Sequence, residues 1–110
     1  MTANFEREPP YDAMFAALLQ TTKEGKLDWH ETADESAFLA AVKGQRTFEV
    51  RTEEGAMGVQ LVVRDAEGKV YLTTPFLRSG DARALYQLAR RLALRVDERV
   101  DDTVQLLNGL

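Results

Sequence analysis

His30 is the single histidine of a 110-residue chain that has no cysteine, so a general base or a metal centre would have to be built on it with carboxylates or a phenol. Neither chemistry finds its spacing here. Trp29 and Glu31 flank His30, no second ligand stands at metal-site distance along the sequence, and the acid pairs Asp34-Glu35, Glu53-Glu54 and Asp101-Asp102 fall in turns or on a helix face, where carboxylates are ordinarily solvated. No phosphate-binding glycine loop or activated nucleophile is present. Absence of cysteine removes disulfides and thiolate chemistry together and suits a reducing cytoplasm. The reading is therefore no catalytic residue, no metal and no cofactor.

Arginine is the one charged residue type that clusters. The chain carries a net charge of −4, which disfavours a general grip on nucleic acid or anionic lipid, yet Arg78, Arg83, Arg90, Arg91, Arg95 and Arg99 face only Asp81, Asp97 and Glu98, a local +3 that leaves −7 elsewhere. On a helix over 81–95, Arg83 and Arg90 are a heptad apart and line up, whereas Arg91 stands about 100° further round. These three are the candidate nucleic-acid contacts.

Period and turn chemistry predict the elements that hold these residues. After a tail over 1–10, stiffened by Pro9-Pro10, the residues Tyr11, Met14, Phe15, Leu18, Leu19 and Thr22 recur at helical spacing, and Gly25 stands where a left-handed cap belongs. The period then changes to two, with Leu27 and Trp29 on one side of a strand and Asp28, His30 and Thr32 on the other. Residues 38–42 are open between helix, with Asp34 as cap, and strand. Phe48 and Val50 alternate with Thr47, Glu49 and Arg51; Glu53-Glu54-Gly55 reverses the chain; and Met57, Val59, Leu61 and Val63 alternate with Gly58, Gln60, Val62 and Arg64. Asp65-Ala66-Glu67-Gly68 reads as a type I turn closed by a left-handed glycine, leading to Val70, Leu72 and Thr74 before Pro75. Ser79 or Asp81 caps a helix over 82–93. Val100, Val104 and Leu107 continue its stripe, with a bend at Val96-Asp97-Glu98 where Asp97 caps a restart.

The stretches LLQTTKEGKLDW and LYQLARRLALRVDERVDDTVQLL resemble a group of small uncharacterised bacterial proteins, over Leu18 to Leu107. In that group a helix ends in Thr-Lys-x-Gly, a Trp-containing strand and a short meander follow, and an LYxLARR-type helix bends into an acidic one. The resemblance implies a strand over 38–42 and no particular activity. Where the group carries glycine at the bend, this chain has Arg95.

The expected architecture is a single α+β domain over 11–110 in two layers: a helix, an antiparallel meander of about five strands, and C-terminal helices on the same sheet face. Trp29, Phe48, Val50, Leu61 and Leu72 are expected to meet Phe15, Leu19, Leu85 and Leu92 in the core. The open sheet face would present His30, Glu49, Arg51, Gln60, Val62, Tyr71 and Thr73, with Val62 and Tyr71 as its apolar part. That face makes a non-enzymatic interaction module the leading expectation, a cytoplasmic protein bound to itself as a homodimer or to another protein, with no membrane contact. Weak nucleic-acid binding through 81–95 is the alternative. A small metal-free enzyme using His30, Tyr71 and nearby acids is the third reading.

Overall fold

A proline needs no backbone donor partner, and helix α1 (Tyr11–Lys23) accordingly starts straight after Pro10 in the computed structural model, which describes residues 9–42, 44–53 and 58–110. The readings made for the tail up to Glu8, for Glu54-Gly55 and for Met57 lie outside the described residues. Phe15, Leu18, Leu19 and Thr22 form the buried face of α1, and Gly25 turns the chain at φ +74°, with its N–H donating to the Thr22 carbonyl at 3.0 Å. Thr22 does more than fill space. Its buried Oγ1 donates to the Leu18 carbonyl at 2.7 Å and accepts the Trp29 Nε1–H at 3.1 Å, tying α1 to the first strand. Thr22→Val keeps the shape but orphans the indole N–H, and is expected to cost about 1–3 kcal/mol in urea unfolding while Thr22→Ser costs clearly less. Equal stability of the two variants would mean that the indole bond contributes nothing.

Five strands follow in the order β1 (Trp29–Glu31), β2 (Ala37–Val42), β3 (Arg46–Arg51), β4 (Gln60–Asp65) and β5 (Val70–Thr73), an all-antiparallel meander in which each strand pairs with the next. The open segment 38–42 is strand. Phe38 lies opposite Val50 and Ala40 opposite Phe48, both Phe38 and Ala40 are buried, and the Asp34 carboxylate accepts from Ser36 N–H and Oγ–H in a turn instead of capping a helix. Hydrogen bonding from that hydroxyl and that amide holds the Asp34 carboxyl below the usual aspartate range. Asp65 Oδ1 likewise gathers the N–H groups of Glu67 and Lys69, and Gly68 closes the β4–β5 turn at φ +85°.

Beyond Pro75 the ladder resumes for one pair, with Val59 and Leu77 exchanging both backbone bonds at 2.8 and 2.9 Å. Gly58 permits this close approach: a Cβ there would stand 2.9 Å from the Phe76 carbonyl carbon and 3.1 Å from the Leu77 nitrogen, and backbone cannot swing aside. Gly58→Ala is expected to cost about 1–3 kcal/mol by denaturant unfolding. A neutral result would show that the 58–77 contact is not held as described.

Helix α2 (Gly80–Ala93) is capped by Ser79, whose Oγ accepts from Ala82 N–H at 3.2 Å. Ala82, Leu85, Tyr86 and Ala89 bury against the sheet; the Tyr86 hydroxyl donates to the Ser36 carbonyl at 3.0 Å, and its ring lies 5.6 Å from that of Phe38. Phe15, Leu18, Leu19, Trp29, Phe38, Val50, Leu61, Val63 and Leu85 share one core, with Phe48 and Leu72 half-buried at its margin. Leu92 departs from expectation at 44% exposure, because it stands about 70° round α2 from the centre of the Ala82–Ala89 stripe.

The chain breaks at Arg95, whose φ of 53° and ψ of 47° are left-handed. Arginine there costs roughly 1–2 kcal/mol relative to ordinary helix backbone. Arg95 N–H donates to the Leu92 carbonyl at 3.2 Å, and Arg91 clasps Asp97 Oδ1 across the bend through Nε at 3.1 Å and Nη2 at 2.7 Å. Asp97 is therefore a first-turn residue bound by Arg91 and caps nothing. Two helices with a bend are present as expected, but the second, α3 (Val96–Asn108), does not lie on the sheet. Among the elements it meets only α2, and none of its residues is buried.

Candidate functional site

The meander's register gathers most of the residues expected on the open face. His30, Leu39, Glu49, Val62 and Thr73 form one cross-strand row through all five strands, with Arg51 opposite Gln60 beside it. Leu39 was missed because the state of 38–42 was open. Ionic contacts dominate this face. Glu49, its side chain only 14% exposed, accepts from Arg64 Nη1 at 2.8 Å and lies 3.9 Å from Arg51 Nη1, while Arg51 Nη2 reaches Asp34 Oδ2 at 3.4 Å; the Arg51 Nε is buried without a partner. Val62, between Glu49 of β3 and Thr73 of β5 in this row, keeps 6% exposure and presents no apolar surface.

Tyr71 leaves the expected patch for a different reason. The register shifts between Val63 and Arg64, so that Arg64 pairs with Val70 and Tyr71 has no cross-strand partner. Its ring lies 5.2 Å from the Arg46 guanidinium carbon. His30 and Tyr71 also occupy opposite edge strands, four strand spacings or about 19 Å apart, so this fold assembles no site from the pair. His30 is exposed, its Nε2 lying 3.6 Å from Asp28 Oδ2. Among the described residues, no three His, Asp or Glu side chains converge to hold a metal ion, and no helix is long and apolar enough to cross a membrane.

Exposed apolar surface is concentrated in α3. Val96, Val100, Val104 and Leu107 recur at i, i+4, i+8 and i+11, and Val100 and Val104 are 54% and 49% exposed. Of the eight large hydrophobic residues exposed among the described ones, five follow Arg99: Val100, Val104, Leu106, Leu107 and Leu110. The sequence had shown the stripe but not that the chain's own sheet leaves it uncovered. A crevice bordered by Arg90, Leu94 and Arg99 runs along its inner side.

The arginines lead into a second groove. Arg90 and Arg91, with Lys23 of α1, border a trough between α1 and α2 floored by Leu19, Ala84 and Leu88 and closed at one end by Val96. Arg83 lies outside it, on the solvent side of α2. Compared with protein-family models, with curated proteins and with solved structures, the chain matches none. The geometry of the α3 stripe and the trough is thus what bears on function.

Proposed function

We propose that this protein is a non-enzymatic interaction module that self-associates as a homodimer, with α3 as its contact element. The observation that carries the reading is a helix with an apolar stripe and no buried residue. Amphipathic helices bury that stripe, and 13 residues are about the shortest length at which a helix without packing is even marginal in water. A partner surface supplies what the sheet does not. A contiguous exposed apolar strip of this kind marks protein association, and two-fold pairing of identical chains is its commonest form. The sheet face, sealed by the Glu49, Arg51 and Arg64 contacts, offers no comparable strip.

Sedimentation velocity from 1 to 100 μM tests the reading. A concentration-dependent shift to twice the chain mass is expected, together with slowed amide exchange along α3 in the dimer. A single chain mass throughout, with α3 still helical, would overturn it.

A further inference from the structure

We infer that two copies pair their α3 helices antiparallel, so that the leucines at the C-terminal end of each fill the crevice at the α2–α3 corner of the other. This rests on the self-association reading and adds the partner surface and its direction.

The crevice is continuous with the stripe. Leu94, Val96, Val100 and Val104 wall a void of about 330 Å³, more than one aliphatic side chain can fill, with Arg90 and Arg99 at its rim and no acid along it. A surface that covers the N-terminal half of the stripe must therefore fill this corner as well. At the opposite end of α3, Leu107 and Leu110 stand exposed. An antiparallel pair joins the two ends: with Val96 opposite Leu107 of the second copy, Val100 falls beside Val104, and Leu110 reaches the corner at Leu94. A parallel pair would set crevice against crevice and leave both unfilled.

Charge at the helix end agrees with that direction. Helix α1 closes on Lys23 and α2 on Arg90 and Arg91, but α3 has no cation in its last turn to meet the negative end of its dipole. Among the described residues, neither Arg90 nor Arg99 forms an ion pair. The antiparallel register brings the last turn of one α3 to Arg99 and Arg90 of the other, where cations are favourable. Charges beside the stripe do not oppose it. Asp101 and Arg99 stand about 100° to either side of the stripe centre, so each and its copy in the second chain lie across the outer margins, about 10 Å apart and screened at ordinary salt. One two-fold operation fills both crevices, and the assembly is closed.

Without native cysteine, cross-linking reads the direction directly. A Val96→Cys chain mixed with a mass-tagged Leu107→Cys chain and oxidised at micromolar concentration is expected to give mainly the covalent heterodimer on a non-reducing gel, whereas either variant alone stays monomeric there. Two charge variants give an independent readout. Arg90→Gln/Arg99→Gln is expected to raise the dimer Kd about tenfold, since four cations leave the two helix ends. Asn108→Lys supplies the missing last-turn cation, so it should raise α3 helicity in the monomer yet weaken the dimer severalfold, because the new charge meets Arg90 and Arg99 of the second copy. Self-cross-linking of each single variant would show parallel pairing, and a mixture that sediments as dimer without cross-linking would put α3 on another surface. Either result, or an unchanged Kd in either charge variant, would overturn the crevice while leaving self-association standing. A wild-type chain that is monomeric throughout would overturn both.

Discussion

Phe15→Ala is expected to cost about 3–5 kcal/mol, a large part of the roughly 5–15 kcal/mol that a domain of this kind has in total. Phe15 is fully buried in the core that also holds Trp29, Phe38, Val50, Leu61 and Leu85. Removing its ring leaves a hollow between α1 and a sheet whose inner face is already committed to cross-strand pairs, so neighbours can close it only in part. At roughly 4 °C or more per kcal/mol for a domain of about this size, thermal unfolding should begin at least ~12 °C lower at fixed protein concentration. Leu107→Ala removes a residue of comparable apolarity from the exposed end of α3 and should leave the unfolding of monomeric protein within about 0.5 kcal/mol. If both variants behaved alike, the division between a dry core and an uncovered helix would be wrong.

Much of this division was legible from residue spacing, and the failures have physical causes. Strands β3 to β5 announced themselves because alternation and the Asp65–Gly68 turn act within a few residues of each other. Residues 38–42 have no such signature: Phe-Leu-Ala-Ala-Val suits a helix or a strand, and only the partners Val50 and Phe48 decide. Val62 is buried on a face where Glu49 and Arg64, from different strands, form an ion pair, and no local pattern encodes that pairing. Tyr71 was misplaced because a bulge breaks the alternation on which its assignment relied. The turn at Arg95 uses a backbone region that arginine seldom visits, so its residue type gave no sign of it.

The same logic explains α3, the most consequential departure. Periodicity in Val96, Val100, Val104 and Leu107 reports that one face of the helix needs burial; it carries no information about which surface provides it. The nearest inference assigned that role to the sheet. In the structure α2 and α1 already cover the sheet's inner face, and the left-handed residue at Arg95 points the chain elsewhere.

Val100→Asp/Val104→Asp turns this into a direct contrast between folding and association. Both valines are about half exposed in the single chain, so replacing them removes little intramolecular packing, and the urea midpoint of the monomer should move only slightly. In a two-fold dimer each substitution occurs twice. Four valine contacts are lost, each contributing on the order of 1 kcal/mol even if only part of the side chain is buried, which alone implies a Kd increase of about a thousandfold. Four carboxylates entering an apolar contact add to that cost unless they are repelled outright. Sedimentation should therefore find monomer at concentrations where the wild-type chain is dimeric, and α3 should lose helicity and exchange protection while the α1, α2 and sheet signals persist. A variant that stays dimeric would place the contact on another surface, and one that unfolds throughout would show that α3 belongs to the core after all.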